Sequence, residues 1–160
     1  MLPTIAEQTL ADQQATEHLA ASLARIARRG DIFALEGDLG SGKTVFARAF
    51  IRARGCVDED VPSPTFTLLQ VYEPSLPDAC PIYHFDLYRL DAPDDAWELD
   101  IEDAFASAIC LIEWPDRLGP LLPAHALSVR LRPGTAAEQR RIQLAGTTAW
   151  RQRLQETGLA

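Results

Sequence analysis

The sequence predicts an α/β fold: a three-layer sandwich with a mixed parallel and antiparallel sheet and helices on both faces, formed by residues 1–160 as a single domain. Three observations carry this. Short apolar runs alternate with stretches of helical periodicity. One of those runs, "DIFALE" at 31–36, leads straight into a glycine-rich stretch, "GDLGSGKT" at 37–44, that a helical pattern follows. Two later pairs of strand-like runs lie close enough together to pair antiparallel. At 160 residues and 47% hydrophobic, a chain of this size buries about 68 to 70% of its unfolded surface. A second domain is not needed to make a core.

Taken in order, Thr9 followed by Asp12 resembles a capping box. Leu19, Leu23 and Ile26 then recur at helical spacing until Gly30, which predicts a helix over about 11–28. "DIFALE" reads as a buried strand. From Lys43 to Arg54 the apolar residues Val45, Phe46, Ala49 and Phe50 share one side and Gly55 supplies a stop, so a helix follows the glycines. "VPSPTF" is an extended loop stiffened by two prolines. "TLLQVYE" (67–73) and "PIYHFDLYRL" (81–90) flank a turn-rich segment and read as an antiparallel pair, and 94–106 as a helix. "AICLIEW" is a second buried strand ending in an acid. Alternation around Leu127, Val129 and Leu131, then "RRIQLAG", predicts two more strands, with a closing helix over 147–157.

Charge and composition narrow the function classes. A formal net charge of −8 argues against free-standing nucleic-acid binding, so any nucleic acid is expected to be reached through a partner. Between Asp86 and Asp103, eight acids face one base, Arg89, giving −7 of that total. This is either a solvated face or a docking surface for a basic partner. The longest apolar runs are short and the N-terminus lacks the features of a signal peptide, so a cytoplasmic protein without a membrane span is expected. Cys56, Cys80 and Cys110 form neither a disulfide framework nor a paired metal motif, and Cys110 reads as a small buried hydrophobe.

"GDLGSGKT" satisfies every fixed position of G-x-x-x-x-G-K-[ST] in the strand, loop and helix context that pattern requires, which makes the expected fold P-loop NTPase-like. Gly37, Asp38, Leu39, Gly40, Ser41, Gly42, Lys43 and Thr44 are the nucleotide-binding candidates. The glycines let backbone N–H groups turn inward on phosphate oxygens, with the positive end of the following helix behind them. Lys43 is positioned for the β and γ phosphates of ATP, and the Thr44 hydroxyl for Mg2+. Lys43 is also the single lysine in a chain with fourteen arginines. A compact ammonium enters a phosphate cradle where a guanidinium does not fit equivalently.

Turnover needs more than a phosphate loop. Glu113, ending "ICLIE", stands where such folds place an acid for the metal. Most carry Asp there, and the longer side chain leaves direct ligation, ligation through water or activation of the attacking water open. Asp86 is the second acid; by the two-residue period it shares a face with Ile82, His84 and Tyr88. It is a candidate to hold metal-bound water or to position the nucleophile. His84 either contacts Asp86 or is a packed, hydrogen-bonded residue. Thr65 lies where NTPase switches place a threonine that senses magnesium and γ-phosphate, or else caps its loop. Trp114 either shields the site or stacks on a partner, or else packs in the core. The start of the first helix and the late strands are plausible neighbours of the base.

The chain has no Asn and hence no guanine reader of the Asn-Lys-x-Asp kind, and its D-x-x-G match at 116–119 comes late with no strand leading into it. A GTPase is therefore not expected. No arginine-bearing lid of the small-molecule kinase type is evident. A nucleotide-gated binding module that does not require hydrolysis, and a small-molecule kinase, remain the alternatives to an ATPase.

"GDLGSGKT", "SPTFTL", "YHFDLYRL" and "ICLIEWP", in this order and at these separations, resemble the TsaE (YjeE) ATPases of bacteria over nearly the whole chain. The resemblance implies an ATPase acting with the TsaB and TsaD partners in making the threonylcarbamoyladenosine modification of tRNA. In that family TsaD transfers the carbamoyl group and the ATPase resets the complex, so tRNA contact is indirect. It also implies nucleotide contacts over 37–44, magnesium ligands at Thr44 and Glu113, and an essential acid at Asp86. Thr65 matches the switch-like loop, and Trp114 the tryptophan beside the nucleotide. Two positions depart from the family pattern. Ser41 replaces the more usual Ala, and Asp100 stands where Gly is often found, which bears on the local turn.

Overall fold

The computed structural model describes residues 2–56, 67–74 and 79–160. All its strands belong to one seven-stranded sheet in the order β1-β7-β6-β2-β5-β4-β3. Strand β2 (Ile32–Glu36) is central, parallel to both β5 (Ile109–Glu113) and β6 (Leu127–Pro133), and β4 (Ile82–Asp86) is parallel to β5. The antiparallel additions are β3 (Leu69–Tyr72) on β4, β7 (Arg140–Ala145) on β6, and β1 (Thr4–Leu10) on β7. Both faces of β2 and β5 are covered, which is why these strands read as unbroken apolar runs rather than alternating ones.

One face carries α1 (Gln13–Ile26), α2 (Lys43–Ala53) and α4 (Thr148–Glu156). Leu19 and Leu23 from α1, Phe46 and Phe50 from α2, and Trp150 and Leu154 from α4 pack with Phe33, Leu35, Leu111 and Val129. Phe33 meets Phe50 and Trp150 edge-on at 4.9 and 5.5 Å between ring centroids, contacts worth about 0.5 to 1.5 kcal/mol each beyond their buried area. On the opposite face α3 (Ile101–Ser107) and the 3-10 segments Pro93–Leu99 and Pro115–Leu121 cover β2, β4 and β5 through Ala96, Ile101, Ala104 and Leu118. The expected three-layer sandwich with a mixed sheet is the fold observed. Cys56, Cys80 and Cys110 are free and buried, and burial, with Cys80 nearby, pushes the Cys110 thiol up to about 12.

Three local expectations are corrected, and one strand is added. Residues 4–10 form an edge strand that the sequence does not announce, because only Leu10 of its seven residues is buried and no apolar alternation survives. Thr9 belongs to that strand. The α1 cap is Asp12, whose carboxylate accepts the Ala15 N–H at 2.9 Å. The helix expected over 94–106 is broken at Asp100, which adopts φ 53° and ψ 41° and turns a 3-10 segment into α3. Gly adopts that left-handed conformation without strain, and a short polar Asp tolerates it at some cost. Finally, β4 stops at Asp86, level with the end of β5, so Tyr88 lies beyond the strand and is exposed rather than sharing the Asp86 face.

Helix α4 is stapled to the turn that feeds β2. Arg153 Nη1 and Nη2 donate to the two Asp31 carboxylate oxygens at 3.0 and 2.9 Å, and Nη2 also donates to the Ile26 carbonyl at 2.7 Å. The guanidinium stacks 4.2 Å over the Trp150 ring. Asp31 Oδ2 accepts the Arg28 N–H at 2.7 Å as well, so one carboxylate organises the end of α1, the start of β2 and α4. Arg153→Ala is expected to lower stability by about 2 kcal/mol, read as a lower urea midpoint at unchanged slope. Asp100→Gly is expected to raise stability by about 0.5 to 1 kcal/mol, read as a higher midpoint, since the residue is exposed and only its backbone strain is relieved.

Candidate functional site

The site is built from the carboxyl ends of three parallel strands. As β2 leaves the sheet, the chain enters the loop 37–44. Gly37 adopts φ 151°, and a Cβ there would lie 2.6 Å from the Leu131 carbonyl oxygen, so no side chain fits. Ser41 N–H donates to the Asp38 carbonyl at 3.1 Å and closes the turn, and Gly42, at φ 106°, opens α2. The loop is thus a backbone cradle at a helix N-terminus. Of its eight residues, Leu39 presents its side chain to solvent at 74% exposure, so that position contributes backbone alone. Ser41 Oγ is buried and has no hydrogen-bond partner among the described residues.

Lys43, 5% exposed, folds back across the loop. Its ammonium donates to the Gly37 carbonyl and, at 3.3 Å, to that of Asp38, and it sits 3.8 Å from the Trp114 ring centroid. Burial lowers its pKa below the ordinary lysine value, and the carboxylates of Glu113, Asp86, Asp38 and Asp116 oppose that shift. Trp114 reaches this position because its own backbone is left-handed, at φ 59° and ψ 52°, immediately after β5. The strain of a bulky residue there, on the order of 1 to 3 kcal/mol, is offset in part by a cation–π contact on a desolvated ammonium.

The two acids meet by strand register. Glu113 pairs with Leu35 of β2 on one side and with Asp86 of β4 on the other, and the Leu87 N–H donates to the Glu113 carbonyl at 3.1 Å. Both acids are buried, at 2% and 3% exposure. Thr44 Oγ1 donates to Glu113 Oε1 at 3.3 Å, so the two metal-ligand candidates from distant parts of the sequence are neighbours. Asp86 Oδ1 accepts the Tyr88 N–H at 3.1 Å. His84, fully buried, meets Glu113 rather than Asp86: its Nε2 lies 2.7 Å from Glu113 Oε2. A carboxylate accepts, so Nε2 carries the proton, and Nδ1 has no partner among the described residues. Thr65 lies outside the described residues.

Two clefts flank the loop. One, of about 310 Å3, runs from Gly37 and Asp38 past Trp114 and Asp116 to Arg130 and Arg132. The other, of about 110 Å3, joins the start of α1 to the β6–β7 turn across Gly42 and Val45, with Gln13, Thr16, Glu138 and Arg140 around it. Thr16 Oγ1 is buried there without a partner among the described residues. The acidic run separates into two parts. Asp86 is buried in the site, and Asp91, Asp94, Asp95, Glu98, Asp100, Glu102 and Asp103 are exposed. Sequence reasoning missed the contact of His84 with Glu113, which depends on register, and Arg140, whose partners among the described residues are all backbone carbonyls and leave no residue-type signature.

Residues 10–142 match the family described as "Threonylcarbamoyl adenosine biosynthesis protein TsaE". Similar proteins include the tRNA threonylcarbamoyladenosine biosynthesis protein TsaE of Rickettsia conorii, 41% identical over 77% of this chain and 69% of the relative. The protein of the same name from Bacillus subtilis is 35% identical over 73% of this chain and 71% of its own length. Among solved structures, the crystal structure of Bacillus subtilis YdiB superposes with a TM-score of 0.77 at 25% identity, covering 99% of this chain and 96% of that one.

Proposed function

The chain belongs to the TsaE family, and from that membership together with the geometry of its site we propose that it is a magnesium-dependent ATPase of tRNA threonylcarbamoyladenosine biosynthesis, acting as one domain. The observation that carries the reading is the meeting of Thr44 and Glu113 at 3.3 Å, with Asp86 on the adjoining strand end, beside a phosphate-type loop.

The residues present suit both ATP and magnesium. Gly37 packs too closely on Ser41 and Leu131 for any Cβ, which lets the loop turn tightly into the N-terminus of α2, the kind of backbone N–H array that receives phosphate oxygens. The donor set for the ion, a hydroxyl and a carboxylate, is hard oxygen. Among the described residues no group of three or more His, Cys, Asp or Glu forms a metal cage. Magnesium shared with substrate phosphates needs just one or two carboxylates. Bound there, the ion supplies charge neutralisation for the β and γ phosphates.

The chain's own groups divide the remaining work. Lys43 exchanges its carbonyl partners for phosphate oxygens, and Trp114 keeps water from that ammonium. Glu113 and Thr44 hold the ion, and Asp86 orients the attacking water and takes up its proton. Thr65 takes the γ-phosphate-sensing role, one of the two that its sequence position allows. The cleft between Gln13, Thr16, Val45 and Glu138 receives the base, continuing the line of the loop past Gly42. TsaB and TsaD are the protein partners, and tRNA is reached through them, as suits a chain of net charge −8. No helix among the described residues is long and apolar enough to cross a membrane.

Lys43→Ala is expected to abolish ATP binding in a calorimetric titration. Asp86→Ala and Glu113→Gln are expected to bind ATP and to lose turnover by roughly a hundredfold or more. Normal hydrolysis by both acid variants would remove the assignment. A binding module would show full partner function with a non-hydrolysable analogue, and a small-molecule kinase would consume ATP with a metabolite in the absence of any protein partner.

A further inference from the structure

Arg140 opens β7 and turns back onto the phosphate loop. Its Nε donates to the Ser41 carbonyl at 3.0 Å and its Nη2 to that of Gly40 at 3.3 Å. Its Nη1 donates to the carbonyls of Ala137 and Gln139, each at 2.9 Å. Among the described residues no carboxylate takes part, and the cation is clasped by backbone dipoles from the loop on one side and from the β6–β7 turn on the other.

That turn is itself tightly built. Gln139 Oε1 accepts from the Thr135 N–H at 2.8 Å and the Thr135 hydroxyl at 2.7 Å, and the Gly134 N–H donates to the Gln139 carbonyl at 2.8 Å. A planar fork on a stiff turn can fix two successive carbonyls in a way that a point charge cannot. The Ser41 carbonyl belongs to the same peptide unit as the Gly42 N–H. A cation on the oxygen side polarises that N–H at the head of α2.

We propose that Arg140 is a positioning residue for the phosphate loop, clamping the Gly40 and Ser41 carbonyls so that the loop is held ready for a polyphosphate. This rests on the reading of 37–44 as the phosphate site. Arg140 also borders the cleft assigned to the base, so the test must separate the two routes.

Affinities for ADP and for inorganic tripolyphosphate, which has no base, are measured by calorimetry well below the melting temperature for the wild type, Arg140→Gln, Arg140→Lys and Arg141→Gln. Arg140→Gln is expected to weaken both ligands by a similar factor, roughly tenfold or more. Arg140→Lys keeps the charge without the fork and is expected to weaken both as well. Arg141, the next residue, is exposed on the other face of β7, and Arg141→Gln is expected to match the wild type. Wild-type tripolyphosphate affinity in a folded Arg140→Gln, with or without a loss for ADP, overturns the proposal, because a residue acting on the base or on stability alone gives that result. If Arg140→Gln does not fold, undiminished tripolyphosphate binding by Arg140→Lys overturns it equally. Failure of the wild type to bind either ligand overturns the phosphate-site reading, and the proposal with it.

Discussion

Leu35, Glu113 and Asp86 lie on one cross-strand row at the carboxyl edge of the sheet, and the composition of the site follows from that register. The parallel ladder ends β5 and β4 level with each other while β2 runs on into the phosphate loop. A slip of one residue in β4 would carry Asp86 and His84 to the opposite face, among the residues that pack beneath α3. The covering of β2 and β5 on both faces makes such a slip costly, because it would exchange Phe85 for polar groups in a closed core. Ordinary packing on one side of the sheet therefore specifies chemistry on the other.

The same row concentrates charge in a place where charge is expensive. Four carboxylates act on one buried ammonium, and two of them, Asp86 and Glu113, are themselves buried. Each is held by hydrogen bonds: Glu113 by His84 and Thr44, Asp86 by the Tyr88 N–H. Even so, the acids outnumber the lysine, an imbalance that a divalent cation would correct. The Trp114 ring completes the surround, at the cost of a left-handed backbone where the chain leaves β5.

The parts legible in the sequence were those whose signals are local. "GDLGSGKT" is a contiguous pattern, the apolar runs of β2 and β5 report burial on both faces, and the acids of "HFD" and "LIE" stand at strand ends. What was not legible depends on neighbours distant in sequence or on backbone groups. Period-two alternation put His84 and Asp86 on one face, but only the pairing of His84 with Leu111 shows that the imidazole reaches Glu113. Strand β1 is an edge held by ladder hydrogen bonds with little burial, so its residues carry no apolar pattern. Asp100 breaks a helix through a left-handed backbone that its residue type does not announce.

A crystal structure with magnesium and a non-hydrolysable ATP analogue tests most directly whether these three strand ends form one site. Phosphates seated in the loop 37–44, with the ion on Thr44 Oγ1 and beside Glu113, and Asp86 facing the terminal phosphate, is the expected result. Nucleotide bound away from the loop, or an ion held apart from both Thr44 and Glu113, would contradict it.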